Sequence, residues 1–371
     1  MIAGISPVKH AEESAVLQVP KQSFTAPHRA EVFFNPRMRF SRTMDSLATG
    51  VLKPERILDG LSATGAKGVR IAKENSFVKK VFLLDANPKT VAFARTNVSL
   101  NKLGGRIEAI CEDFNDFCES NENSFDFIAV DPFGTPAPFV DSALMALKKP
   151  GFLSLTSTDL ANVVKKNAPT MRDYGAKPLY NDFSHETALR IILGFAERKA
   201  FGRNLSLEPL VCLYDAHFVK IIARVKHGRS EILLKKASGF VSYCDKCLSR
   251  FVGKRVKCSC GNRLLYAGPL WTGDFCEKGF LKKLFALNAK RNYADKNKMG
   301  KMLLLLQGEQ NFPPWFFDVH VVAGKFGLAV GKKMDAILAG LRDAGFKTVK
   351  THFDPLGIKT DATPGKIVQF I

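Results

Sequence analysis

Between residues 54 and 156 the chain alternates short apolar runs with amphipathic segments at regular spacing. Residues 57–58, 81–84, 107–111, 125–130 and 152–156 predict five buried strands closed by turn or acidic residues. Helices are predicted between them: one running to Lys73, one opened by Pro88 with Val91, Ala92, Ala94 and Val98 at helical spacing, a turn after Asp113, and residues 138–147. Such alternation predicts an α/β protein with a parallel, doubly wound sheet. Residues 182–199 form an amphipathic helix, and residues 210–214 and 218–225 pair as an antiparallel hairpin at the end of the sheet. Two basic helices, 275–289 and 294–310, then precede a small α+β unit of winged-helix character built from 317–323, 332–344, 348–352 and 366–371. The first thirty residues show little periodicity and are read as an irregular arm. The expected division is an arm over 1–50, a sheet domain over 51–232, a basic cysteine segment over 233–271 and an α+β domain over 272–371.

Composition changes this picture in two places. Among 371 residues, 55 Lys and Arg against 35 Asp and Glu give a net charge of +20. Twelve of the basic residues lie between Lys220 and Arg263, against two acids, Glu231 and Asp245. A block of one sign favours a polyanion, and nucleic acid is the expected partner. The second place is the cysteine pattern. Cys244-x2-Cys247 and Cys258-x-Cys260 supply four thiolates at the spacing of a closed tetrahedral zinc site, structural rather than catalytic. No apolar run reaches membrane-spanning length and the first thirty residues lack a secretory pattern, so a cytoplasmic protein without membrane or stable protein partners is expected.

The turn after the first strand, Asp59-Gly60-Leu61-Ser62-Ala63-Thr64-Gly65-Ala66-Lys67-Gly68, admits three readings. A P-loop requires lysine where Ala66 stands, and a dinucleotide site requires G-x-G-x-x-G. The third reading is S-adenosylmethionine, which offers ribose hydroxyls and an adenine but no pyrophosphate. Asp85, ending the second strand, is placed for the ribose. Asp113 after the third strand can meet the adenine amine with Phe114 against its face, and Asp59 is near the methionine portion.

Asp131-Pro132-Phe133-Gly134-Thr135-Pro136 closes the fourth strand. An exocyclic amine is a poor nucleophile, because its lone pair is delocalised into the ring. A carboxylate accepting its N–H raises the electron density on nitrogen and can take the proton. Pro132 stiffens the backbone and Phe133 offers a stacking face. Carbon-directed methyltransferases use a Pro-Cys nucleophile, and no cysteine here follows a proline.

Together with Phe33-Phe34-Asn35-Pro36-Arg37-Met38, the run from Leu61 to Arg70, Tyr174-Gly175-Ala176-Lys177-Pro178-Leu179, the cysteine pairs and Thr351-His352-Phe353-Asp354-Pro355, these residues make the chain resemble the tRNA guanine-26 N2-dimethyltransferase family. The resemblance implies a Rossmann-like class I methyltransferase fold with a zinc-containing segment and a C-terminal tRNA-binding domain. It implies a catalytic Asp131, with the guanine held between Phe33 and Phe133. It implies cofactor contacts from Arg42, Asp85, Asp113, Phe114 and Lys67, where the family usually has arginine. The base would be turned out of the tRNA, whose backbone the basic segment holds; His352, Asp354 and Lys359 are further candidates for that surface. Two rivals are an amino methyltransferase acting on adenine in DNA or rRNA, and a zinc-stabilised RNA-binding protein on an inactive fold.

Overall fold

Strands rich in Val, Ile, Leu and Phe, buried on both faces, belong at the centre of a parallel sheet. β3 (Arg56–Gly60), β4 (Lys80–Asp85), β6 (Phe125–Val130) and the second half of β7 (Leu147–Ser157) are of this kind; with the partly exposed edge strand β5 (Ile107–Cys111) they pair in parallel in the order β5-β4-β3-β6-β7. The structure, a computed structural model, describes residues 6–371. The predicted strands and the hairpin β8 (Leu205–Asp215) and β9 (Phe218–His227) are present, the hairpin completing a seven-stranded sheet. β7 begins five residues before the predicted strand.

The chain divides into two compact units. The first holds the residues up to Thr156 with 222–227 and 279–301. Its helices are α1 (Arg39–Leu52), α2 (Ala66–Glu74), α3 (Pro88–Leu100), α4 (Phe114–Glu119) and α5 (Val140–Ala146).

The N-terminal residues are not an irregular arm. β1 (Pro7–Glu12) and β2 (Ala15–Pro20) form an antiparallel hairpin; residues 1–5 lie outside the described residues. Ala15, Leu17 and Val19 bury one face of β2. Its open edge is closed by two asparagines one turn apart, one on α3 and one at its C-cap. Asn97 and Asn101 each accept from a β2 N–H and donate to the same residue's carbonyl, on Gln18 and Val16, at 2.6–3.1 Å. The side-chain amides thus do the work of a neighbouring strand, satisfying edge groups that water would otherwise have to solvate. Nothing within the first thirty residues reveals this, because the partners lie at the end of α3, about eighty positions away in sequence.

The second unit holds Ser157–Ile221, Gly228–Lys278 and Met302–Ile371. Its long helix, Ser184–Gly202, carries Glu186, which is fully buried and binds Arg190 (2.9 and 2.8 Å) and Lys359 (2.6 and 2.8 Å). Burial opposes ionisation of Glu186, yet the two cations hold its carboxyl below the usual range. Lys359 also donates to the carbonyl of Trp315. The side chain of His352 is enclosed as well, its Nδ1 2.7 Å from Glu309 Oε1. Lys359 and His352 are therefore internal ties rather than parts of an RNA-facing surface. Among the described residues the C-terminal strands are β13 (Phe317–Asp318), β14 (Thr348–Lys350) and β15 (Gly357–Thr360), ordered β13-β15-β14, and residues 364–370 are helical. No described helix is long and apolar enough to cross a membrane.

Candidate active site at the carboxyl edge of the parallel strands

Register brings the sequence-predicted acids to one edge. Asp59 on β3 lies opposite Leu83 and Ala129, and Gly60 opposite Leu84 and Val130, so β3, β4 and β6 end level. Asp85 pairs with Cys111 where β4 and β5 end. The turn after β3, Asp85, Asp113 and Asp131 consequently share the edge at which open α/β sheets bind ligands.

The turn is built by close approach. Ser62 N–H donates to the Leu84 carbonyl (2.8 Å), and Ala63 N–H donates to Asp85 Oδ2 (3.0 Å). Asp85 Oδ1 accepts from Asn87 N–H (3.0 Å). Burial pushes the Asp85 carboxyl upward, opposed by these two N–H groups. Gly65 has φ +72, and a Cβ there would stand 2.7 Å from Leu83, so the position requires glycine twice over. A Cβ on Gly60 would stand 2.3 Å from the Phe114 ring, which is buried against it. Asp113 caps α4, accepting from the N–H groups of Asn115 (2.8 Å) and Asp116 (3.3 Å). The phenyl ring of Phe114 meets Phe139 edge-on at 5.5 Å.

Lys67, on the first turn of α2, is the decisive side chain for the three readings of the turn. It is 5% exposed, and its ammonium stands 2.7 Å from Asp131 Oδ2, 3.5 Å from Asp45 Oδ2 and 3.8 Å from Asp59 Oδ1. A lysine enclosed by three carboxylates is not offered to a phosphate, and the P-loop reading falls. Burial alone would depress the Lys67 pKa, but the carboxylates, Asp131 foremost, outweigh it and hold the ammonium above the ordinary lysine range. Asp59 is 1% exposed and also accepts from Gly68 N–H (2.9 Å). Desolvation pushes its carboxyl up to about 7 against the opposing pull of Lys67 and Gly68, with Asp131 and Asp45 adding repulsion. Three carboxylates around one ammonium leave excess negative charge in a desolvated place, which favours the protonated form of Asp59.

Asp45 was not among the residues singled out from sequence. It sits on α1, whose residues from Phe40 to Thr49 are all buried, and its Oδ1 accepts from Ser154 Oγ (2.7 Å). Phe40, Met44, Leu47 and Ala48 at helical spacing were the available signal for this helix. Glu12 is the second omission. Arg42 places two donors on it (2.7 and 2.5 Å) and a third contact on the Asn35 carbonyl (3.1 Å), while Arg70 reaches the same carboxylate at 3.0 Å. The structure thus puts Arg42 beneath the Asn35-Pro36 turn, as an anchor between the hairpin and the segment that carries Phe33.

Phe33 and Phe133 do meet. Their ring centroids are 5.5 Å apart at an interplanar angle of 78°. Phe133 is 77% exposed, an expensive position for a phenyl ring unless something covers it. Two parallel rings enclosing a base would stand about 7 Å apart, twice a van der Waals contact. The edge-to-face pair at 5.5 Å therefore leaves no room for a base between the rings. Asp131 lies two residues from Phe133, and Gly134 follows with φ +120.

The cysteine pairs form a separate centre in the second unit, flanking β10 (Gly239–Tyr243), β11 (Arg250–Val252) and β12 (Leu265–Leu270). All four Sγ atoms of Cys244, Cys247, Cys258 and Cys260 lie within 4.8 Å of one another, the closest pairs at 3.5 Å. Tetrahedral zinc with bonds of about 2.3 Å would set the sulfurs about 3.8 Å apart. Leu248 N–H returns to the Cys244 carbonyl (2.8 Å) and Gly261 N–H to that of Cys258 (2.9 Å), closing both knuckles. The donor set and geometry fit a structural zinc ion. Of the twelve basic residues in this region, Lys220 and Arg250 are buried. Lys246, Lys254, Arg255, Lys257 and Arg263 are exposed around the cysteines.

Comparison with known proteins places the whole chain among relatives. The model of a family described as N2,N2-dimethylguanosine tRNA methyltransferase matches residues 13–371. A tRNA (guanine(26)-N(2))-dimethyltransferase of Methanothermobacter thermautotrophicus is 32% identical over 379 residues, covering 97% of each chain. Its counterpart from Methanobrevibacter smithii is 33% identical over 359 residues, covering 92% of this chain and 91% of the other. The solved structure of Trm1 from Pyrococcus horikoshii in complex with S-adenosyl-L-methionine superposes with a TM-score of 0.87 at 28% identity, covering 98% of this chain and 99% of that one. With its strand-end acids, its aromatic pair and its four cysteines in place, the chain belongs to the N2,N2-dimethylguanosine tRNA methyltransferase family.

Proposed function

We propose that this chain methylates the exocyclic N2 of guanine 26 in tRNA, in two successive steps, with S-adenosylmethionine as the donor. The observation that carries the reading is the Asp131 carboxylate beside the exposed Phe133, facing Phe33 and level with Asp85 at the end of β4. The donor supplies an electrophilic methyl group on a sulfonium. The cradle suits it: glycine-lined backbone at Gly60 and Gly65, carboxylates for ribose and adenine at Asp85 and Asp113, and excess negative charge toward a cation.

Asp131 accepts an N–H of the guanine amine, which keeps the nitrogen lone pair directed outward, and it receives the proton as the nitrogen becomes cationic. Pro132 limits the backbone freedom of that carboxylate. Phe33 and Phe133 move from their edge-to-face contact to admit a base turned out of the tRNA. After one methyl is added the amine retains one N–H, so once Asp131 has released the first proton to solvent the same carboxylate can serve a second step. The exposed lysines and arginines around the four cysteines and the C-terminal α+β part hold the tRNA through its backbone.

Nucleoside mass spectrometry on unmodified tRNA incubated with the protein and S-adenosylmethionine tests the reading. N2-methylguanosine and N2,N2-dimethylguanosine are expected; methyladenosine, or no product despite bound tRNA, would refute it. Replacing Phe133 with alanine should lower kcat/KM for tRNA by about 5- to 150-fold, the worth of one stacked base, about 1–3 kcal/mol. Calorimetric affinity for S-adenosylmethionine should be unchanged in that variant.

A further inference from the structure

We infer that Lys67 is a positioning residue for Asp131, held by the buried pair Asp45 and Asp59, rather than a ligand of the methyl donor. The inference rests on the role proposed above for Asp131. Its basis is geometric. The ammonium is closest to Asp131, at 2.7 Å, and its other two neighbours are both immobilised. Asp45, from α1, is tied to Ser154 Oγ, and Asp59, from β3, to the Gly68 N–H. Each of the three acids comes from a different element, so the flexible lysine stem is fixed from both sides before Asp131 is reached.

A lysine in that position does two things to the acid at the end of β6. It fixes the direction of one carboxylate oxygen, and its charge favours the ionised carboxylate that must accept the guanine N–H. The arrangement is a poor device for stability, since it gathers three acids around one cation in a desolvated place. A buried excess of charge at the edge where ligands bind is the mark of a functional constraint. The groups facing the Lys67 ammonium are Asp45, Asp59 and Asp131.

Lys67 favours the deprotonated form of Asp131, so removing it lets the protonated form persist to higher pH. The acid limb of the kcat/KM profile should move upward by about 1–3 pH units.

The test uses the full-length protein with tRNA and compares wild type, Lys67→Arg and Lys67→Met. Because Lys67→Met strands three carboxylates, two of them buried, it is also made together with Asp45→Asn, which removes one of those charges and keeps an acceptor for Ser154. The expected result for the double variant is a melting curve that remains cooperative and a kcat lowered about a hundredfold by loss of alignment. KM for tRNA should stay within about twofold, with the acid limb shifted as above. Lys67→Arg should restore most of the rate. Calorimetric affinity for S-adenosylmethionine should be retained, since on this assignment Lys67 does not touch it. An unmoved acid limb, or a tenfold loss of cofactor affinity with kcat preserved at saturation, would overturn the inference while leaving the methyltransferase reading intact. Absence of N2-methylguanosine with the wild-type protein would instead overturn that reading, and this inference with it.

Discussion

Asp131→Asn is expected to lower the rate of methyl transfer by about 10²–10⁴-fold, the range carried by a positioned general base. The substitution preserves shape and leaves Lys67 with two carboxylate neighbours, Asp45 at 3.5 Å and Asp59 at 3.8 Å, so the buried ammonium keeps compensation. What is lost is the negative charge facing the amine. An amide oxygen can still accept the guanine N–H but cannot take the proton, and a guanine amine whose lone pair is committed to the ring then has neither activation nor a proton sink. Loss of stacking at Phe133 affects how long the base stays; loss of the charge at Asp131 affects what can happen to it once there. Single-turnover transfer of labelled methyl, with tRNA and cofactor both saturating, separates the two. Affinities for tRNA and S-adenosylmethionine should remain within a few-fold of wild type. A transfer rate within tenfold of wild type would exclude Asp131 as the base.

Removal of the metal is the second large effect. The described hydrophobic cluster around the thiols consists of Cys244, Cys258 and Leu264, with Cys247 and Phe251 packed against it. One leucine and one phenylalanine cannot order the knuckles between β10 and β12 against their conformational entropy. Structural zinc contributes apparent binding free energies of about 10–16 kcal/mol in small zinc-dependent folds. Purified protein should therefore carry one zinc per chain. Chelation, or Cys258→Ser, should abolish hydrogen-exchange protection across residues 239–270 while the parallel strands β3 to β6 stay protected. Because Lys246, Lys254, Arg255, Lys257 and Arg263 are displayed around this centre, tRNA affinity should weaken and become less sensitive to salt. Metal-free protein with undiminished protection across 239–270 would rule out the zinc assignment.

Much of the site was legible in one dimension, because the chemistry sits at the ends of strands. Apolar runs bounded by turn residues mark where a parallel strand stops, and an acid at that boundary, as at Asp85, Asp113 and Asp131, must fall on the ligand-binding edge. The cysteine pairs were legible for a similar reason: two short spacings already bring the thiols close. The N-terminal hairpin was not, since its edge is satisfied by Asn97 and Asn101 at the end of α3 and not by its own neighbours. Nor were Lys359 and His352, whose motif suggests a surface but whose side-chain nitrogens are bound to Glu186 and Glu309 inside the second unit.

The sequence by itself determined the strands and their closing acids, the aromatic at Phe133 and the two cysteine pairs. Each of these depends on spacing within about twenty residues. Only the tertiary structure decided what the charges are for. It placed Lys67 among Asp45, Asp59 and Asp131, tied Arg42 to Glu12, and brought Phe33 edge-on to Phe133 across a hundred positions of sequence. The reason is physical. Local periodicity reports which face a side chain takes. The partner of a buried charge is set by distances of three to four ångströms between elements far apart in sequence, and only the folded chain fixes these.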